Sequence, residues 1–438
     1  MDLDIPTTGA PSTKISSLSP AVQEGLTHAL GVLRRNIAPQ GLVASNALPQ
    51  YATIWTRDLA YSAMGANVSG DHTLVEAVGR SLRALAKVQS PSGQIANDYW
   101  PGREYWDFHE SGSTDATALF IVAAAQHLAA HPDPALQRQL LPALRKAHHW
   151  LSDQDANQFT LIDSPSGGDW MDSTFQRGGK LLYTNALWYR ALNGMAQLDH
   201  VHAHAYRQHA ALLKRKMNYY LWPENDAPYA EMLDGIEYPK NATVEYPHPV
   251  GPAARRAAIR PDRTHYISHV DGQRFVDECD VLGNVLAVLF EVADSNRART
   301  IMQSLHDSVA AQPYPMRTYP RSFSPDDNPA GMLKPDLEGF QGPRWRNPPG
   351  SYHNGGVWPF IGGLYVAALQ KVGMVAEAKA ELERLTAADR LGENGHEWGF
   401  HEWIHADTGK PDGAADQAWS AGTFVLAAHA VAGDRVAF

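Results

Sequence analysis

The sequence predicts an all-α fold, an (α/α)6 barrel in which six helical hairpins close into a toroid, and three patterns carry that expectation. Apolar residues recur with helical periodicity in about twelve segments along the chain. Those segments alternate in kind, one amphipathic and the next apolar nearly all round. The connections alternate as well, short from apolar to amphipathic segments and long in the other direction.

The segments lie near 20–36, 55–68, 73–90, 114–131, 134–151, 182–199, 203–221, 279–293, 296–310, 356–372, 374–390 and 416–432. In the first, Val22, Leu26, Leu30 and Leu33 share one face, with Ser19 placed to cap it and Pro20 in its first turn. The eleventh is of the same kind, with Met374, Ala378, Leu382 and Leu385 backed by Glu377, Lys379, Glu381 and Arg384. By contrast, Ala116 to Ala125 and Val357 to Leu369 leave no polar face, as expected of buried helices. Amphipathic segments therefore form an outer ring and apolar ones an inner ring. The long links, near 37–54, 91–113, 152–181, 222–278, 311–355 and 391–415, must then emerge together where the inner helices begin. They are rich in Trp, Tyr, Gly and Asp, so a functional site is expected at that mouth.

No Gly/Ser-rich or Pro-rich linker divides the 438 residues, so one helical domain, 18–438, is expected after a disordered leader, 1–17. A net charge of −10 without basic runs argues against nucleic acid and against an anionic membrane. No apolar run approaches the roughly 20 residues of a membrane span. Cys279 is the single cysteine, so no intrachain disulfide forms, and a cytoplasmic location is expected. HExxH spacing is missing among the 20 histidines, and a G-x-S-x-G elbow and a P-loop are absent as well. Neither a metal nor another cofactor is expected.

Two carboxylates stand out. Asp172 lies in Gly167-Gly-Asp-Trp-Met-Asp172 and Glu402 in Trp398-Gly-Phe-His-Glu-Trp-Ile-His405, both in glycine- and tryptophan-rich links before inner helices. An acid and a base on either side of a glycosidic bond need such a pair. Apolar neighbours, Trp170 and Met171, suit Asp172 to the acid and leave Asp169 as a structural loop acid. Glu402, between His401 and Trp403, suits the base that deprotonates water.

Sugar contacts are expected from Trp55, Arg57 and Asp58 in Ile54-Trp-Thr-Arg-Asp58, from Asp98 in Asn97-Asp-Tyr-Trp100, and from Asp115 in Ser113-Thr-Asp115. Asp58 and Asp115 also read as helix-capping acids. Trp170, His401, Gln417 and Trp419 join this set, with Tyr352, His353, Asn354 and Trp358 from Tyr352-His-Asn-Gly-Gly-Val-Trp-Pro359. Core packing is the competing role for each indole.

These motifs resemble the six-hairpin glycoside hydrolases, specifically neutral/alkaline invertases and the amylo-α-1,6-glucosidase part of glycogen-debranching enzymes. Trp170-Met-Asp-Ser173, Thr184-Asn-Ala-Leu-Trp-Tyr189 and Thr114-Asp-Ala-Thr117 look like debranching-enzyme signatures. The stretch from Tyr352 to Pro359 looks like both families, its double glycine closer to invertases. The resemblance implies Asp172 as general acid and Glu402 as general base of an inverting hydrolysis. Phe400-His-Glu-Trp403 departs from the Trp-Pro-Glu-Tyr-Tyr-like base loop of invertases, towards relatives acting on small α-glucosides or α-mannosides. The expectation is an exo-acting α-glucosidase on a small carbohydrate, whether sucrose-like, α-1,6-linked or glucosylglycerate-like, acting as a monomer or a homo-oligomer. Two alternatives stand beside it: a catalytically inactive sugar-binding barrel, and a sugar epimerase using His353 and His401.

Overall fold

In the computed structural model, helix follows helix in the expected order: α1 (Pro20–Arg35), α2 (Thr56–Val68), α3 (His72–Lys87), α4 (Thr114–Ala130), α5 (Pro134–Ser152), α6 (Leu182–Leu198), α7 (Ala203–Tyr220), α8 (Val281–Leu289), α9 (Ser295–Asp307), α10 (Pro359–Lys371), α11 (Val375–Arg390) and α12 (Ala418–Ala432). A further short helix, Pro252–Ala257, lies in the link before α8. The structure describes residues 14–438 apart from 101, 104, 109–111, 157, 174, 228–251, 329–330, 334–346 and 394. Most of the expected leader, residues 1–13, lies outside the described residues; Ile15–Ser17 forms a 3-10 turn whose Ile15 is buried in the core.

The even-numbered helices make the inner ring. Each packs on the next, α2 on α4, then α6, α8, α10 and α12, and α12 returns to α2. In α4 every residue from Thr114 to Leu128 is buried, which explains why this stretch carries no polar face. The ring closes on glycine: a Cβ at Gly65 of α2 would lie 1.9 Å from the Gly422 carbonyl oxygen, and one at Gly422 would lie 2.5 Å from Ser62 Cα. Backbones meet there with no side chain between them.

Capping differs between the rings. Outer helices α1, α3, α5 and α9 begin at Ser19, Asp71, Asp133 and Asp294, each side chain accepting from backbone amides of the first turn. Inner helices α2, α4, α6, α10 and α12 begin at Trp55, Ser113, Leu181, Trp358 and Gln417, without a side-chain cap bond. The positive ends of five inner helix dipoles therefore converge on the mouth.

Sequence periodicity treated the long links as loops, whereas they carry small antiparallel ladders. One sheet joins Ile54–Trp55, Asp98–Trp100 and Tyr105–Asp107; another joins Lys180–Leu181, His269–Asp271 and Arg274–Val276; Trp403–Ile404 pairs with Pro411–Asp412. Strands of two or three residues are too short to show alternation. Helix α8 is shorter than expected, because Asp280 caps its start and Glu291, at φ 64°, ends its continuation. Among the described residues no helix is long and apolar enough to cross a membrane.

Candidate active site

Glu402 lies in the link before α12, immediately ahead of the Trp403–Ile404 strand. Both of its carboxylate oxygens are 3.1 Å from the Tyr51 hydroxyl, and Oε2 also accepts from the Ala414 amide at 3.1 Å. The turn that supplies this amide needs Gly413 at φ 75°, where a Cβ would come within 2.4 Å of Oε2. Tyr51 was not expected. It precedes the Trp55 motif in the first long link, and no pattern distinguishes a lone loop tyrosine.

Asp58, in the first turn of α2, faces Glu402. Burial, and next the negative Glu402, raise its pKa well above the usual carboxylate range, with Arg57 opposing. With its amide nitrogen turned towards Asp58, Gln417 donates to Asp58 Oδ1 and to the Ala44 carbonyl, each at 3.2 Å. Asp58 does not cap α2, which starts at Trp55.

Arg57 ties the second carboxylate to this group. Its Nη1 donates to Asp172 Oδ2 at 2.7 Å, its Nε and Nη2 to Asp115 at 2.7 and 3.1 Å, and its Nη2 also to Ser113 Oγ and the Asp169 carbonyl. Such a forked guanidinium is held rigidly. Asp172 keeps 19% of its side-chain surface exposed, and its Oδ1 makes no hydrogen bond among the described residues. Asp115 is fully buried behind Arg57 and also accepts from the Tyr183 hydroxyl at 3.1 Å. Arg57 and Asp115 thus bond to each other and to the residues around Asp172.

Asp169 is fully buried. Its Oδ2 receives Arg177 Nε at 2.7 Å, and Arg177 pairs with Asp280 at 2.8 Å, all three buried. Neither Arg177 nor Asp280 stood out in the sequence, because the network joins distant links.

An aromatic wall completes the mouth. Trp170 packs edge-on against Trp358 at 5.1 Å and His353 at 4.9 Å, and Trp419 stacks on Phe360 at 4.3 Å. Trp55, Trp170 and Trp419 have indole N–H groups without hydrogen-bond partners among the described residues. Trp358 is 1% exposed and donates to the Tyr352 carbonyl at 3.0 Å, so it supports the wall from behind. Tyr352 covers His353 with ring centres 4.2 Å apart. Asn354 is bonded within the protein: its amide nitrogen donates to the Phe323 and Asn347 carbonyls, and its oxygen accepts from the Phe323 amide. Asp98 is 4% exposed; burial first, and Asp107 after the opposing Trp100 bond, raise its pKa to about 6.

His353 and His401 are both buried, and burial lowers the pKa of each. Among the described residues no group of three or more His, Cys, Asp or Glu side chains is arranged to hold a metal ion.

A family model described as amylo-alpha-1,6-glucosidase matches residues 48–426. No curated protein matches the chain. Similar solved structures include an uncharacterized conserved protein from Thermus thermophilus, at 15% identity and TM-score 0.61, covering 92% of this chain and 99% of that one. GH63 mannosylglycerate hydrolase from the same organism, in complex with glucose, has 18% identity and TM-score 0.60 over 91% of this chain and 98% of that one. A rhamnosidase from Klebsiella oxytoca with rhamnose bound has 16% identity and TM-score 0.61 over 95% of this chain and 64% of its own. These structures share the toroid, and the family model spans most of the chain: the protein belongs to the amylo-α-1,6-glucosidase family of six-hairpin glycoside hydrolases.

Proposed function

We propose that the protein is an inverting, exo-acting glycosidase of a small α-glucoside, with Asp172 as general acid and Glu402 as general base. The observation that carries this reading is a pair of carboxylates anchored differently on one mouth: Asp172 through Arg57, Glu402 through Tyr51 and the Ala414 amide. Arg57 engages only Oδ2 of Asp172, so Oδ1 is the oxygen that carries the proton delivered to the leaving group. Glu402 takes a proton from water as the water oxygen bonds to the anomeric carbon from the opposite face. The bond from that carbon to the leaving oxygen breaks, the leaving oxygen keeps the Asp172 proton, and the configuration inverts.

Asp58, buried and biased towards its protonated form, is suited to hold a sugar hydroxyl beside Glu402. The indole N–H groups of Trp55, Trp170 and Trp419 supply further donors, and the convergent helix N-termini favour electron-rich hydroxyl oxygens. A neutral carbohydrate also suits the net charge of −10. The structural relatives named for mannosylglycerate hydrolysis and for bound rhamnose make a small glycoside a reasonable substrate class. Epimerisation through His353 and His401 is less suited, since burial lowers the pKa of both rings and disfavours the protonated form that an acid needs.

The test is anomer-resolved proton NMR during hydrolysis of sucrose, isomaltose, maltose, trehalose and glucosylglycerate. Initial release of β-glucose from one member of the panel is the expected result. Initial α-glucose would overturn inversion, and no turnover of any member would overturn the α-glucoside assignment.

A further inference from the structure

The inner helices begin at the mouth, so the last turn of α4 lies at the other end of the barrel. A cavity of about 610 Å³ opens there between α3 and α5, a volume suited to a small metabolite. Its lining joins Glu76, Gly79, Arg80 and Arg83 of α3 to His127, His131 and Asp133 at the turn from α4 into α5. His127 is 4% exposed. Its Nδ1 donates to Asn67 Oδ1 at 2.9 Å, and His131 Nε2 donates to the Asn67 carbonyl at 2.9 Å, so the end of α2 orients both rings.

Three nitrogen-bearing groups on this lining lack partners among the described residues. His127 Nε2 makes no hydrogen bond there. Arg80 makes neither a hydrogen bond nor an ion pair, and its Nε is buried. Arg83 donates only from Nε, to Gln139 at 3.0 Å. Polar groups in such a setting are ordinarily satisfied, so a partner rich in lone pairs fits here. Neither acid of the lining supplies one: Asp133 turns Oδ1 to the Ala135 and Leu136 amides that it caps, and Glu76 forms no ion pair among the described residues.

Gly79 marks the place. It stands inside α3, where glycine weakens a helix relative to alanine. Its neighbours do not require it, because a Cβ there would lie 3.6 Å from Arg83 Nη1, 3.6 Å from His127 Nε2 and 3.7 Å from Leu136 Cδ2, all ordinary contacts. A guanidinium nitrogen and an imidazole nitrogen therefore converge on one open spot beside the α3 backbone.

We propose that this cavity binds the phosphate group of a small metabolite at the spot beside Gly79, with Arg80, Arg83 and His127 as its donors. Guanidinium groups suit the oxygens of a phosphate, and the cavity beside Val75 and Leu136 leaves room for a carbon skeleton. His127 Nε2 takes up a proton as the anion arrives, since a negative neighbour favours the imidazolium. Without the anion, burial and then His131 and Arg83 hold the His127 pKa at about 4, with Asp133 opposing. The site stands apart from the barrel mouth and does not depend on the glycosidase reading.

The experiment is isothermal titration calorimetry of the full chain with inorganic phosphate, glucose 6-phosphate and glucose, on wild type, Gly79→Ala and Arg80→Gln, with melting temperatures recorded without ligand. Wild type should bind a single equivalent of inorganic phosphate or of glucose 6-phosphate with a Kd of about 1 mM or tighter. Arg80→Gln should weaken binding by about tenfold. Gly79→Ala places a methyl where the anion sits, so it should abolish binding while melting no lower than wild type. Tighter binding of glucose 6-phosphate assigns the remaining volume to the sugar, and equal binding assigns the site to phosphate alone; both support the proposal. No saturable binding by wild type up to about 10 mM, or binding unchanged by either substitution, would overturn it. Displacement of glucose 6-phosphate by glucose would place the ligand in the barrel mouth and overturn it as well. So would a Gly79→Ala melting temperature below that of wild type, because the spot would then be filled by the protein itself.

Discussion

The Tyr51 hydroxyl lies 3.1 Å from both Oε1 and Oε2 of Glu402, so one phenol bridges the two oxygens of the proposed base. A single donor shared between two acceptors fixes the carboxylate plane without consuming either oxygen fully. Tyr51→Phe removes that bridge and keeps the ring, and is expected to lower kcat by about tenfold with little change in KM. Steady-state kinetics on the best panel substrate measure it. A rise in KM at constant kcat would assign Tyr51 to substrate binding instead.

Glu402→Gln keeps the shape and accepts no proton from water. A fall in kcat of at least about 10² with retained sugar binding is expected. Near wild-type turnover would remove Glu402 from the base role.

Asp172→Asn tests the acid through its leaving-group dependence. Hydrolysis of a disaccharide should fall by at least about 10², and that of α-glucosyl fluoride by much less, because fluoride departs with less need of a proton. Equal losses on the two substrates would mean that Asp172 only holds Arg57 in place.

Asp58→Asn separates a sugar contact from a role in helix stability. Facing Glu402 and Gln417, it should raise KM and lower kcat, each by roughly tenfold, with the melting temperature nearly unchanged. Normal kinetics with reduced thermal stability would assign Asp58 to the helix alone.

Stability should depend on pH through buried and half-buried histidines. Burial lowers the pKa of His127, His148 and His209 to about 4 and that of His269 to about 3, against 6.5 in the ordinary state. Their folded pKa values lie below the unfolded one, so the unfolded chain takes up protons first as pH falls. The stabilisation is complete above about pH 6.5 and is lost progressively down to about pH 4 for the first three and about pH 3 for His269. The melting temperature at pH 5 should therefore sit roughly 5 °C or more below that at pH 7.5. An unchanged or higher value at pH 5 would contradict the assignment of these rings as neutral.

The sequence alone determined the toroid and its open end. Repeating apolar faces at 3.6-residue spacing, as in Ala116 to Ala125, dictate burial locally, and alternating link lengths dictate which helix ends meet. Trp55, Asp58, Asp172, Glu402 and Gln417 could be picked out as candidates because loops crowded with glycine, tryptophan and carboxylates are costly unless they serve a site. Only the tertiary structure decided what each polar group touches. It gave Arg57, Asp115 and Asn354 their partners inside the protein, brought Tyr51 onto Glu402, and joined Asp169 and Arg177 of one link to Asp280 of another. Periodicity reports a residue's exposure to its own neighbours in the chain. The partners of Arg57 and of Glu402 come from other links, and for Glu402 and Tyr51 that distance closes only when α12 packs back on α2.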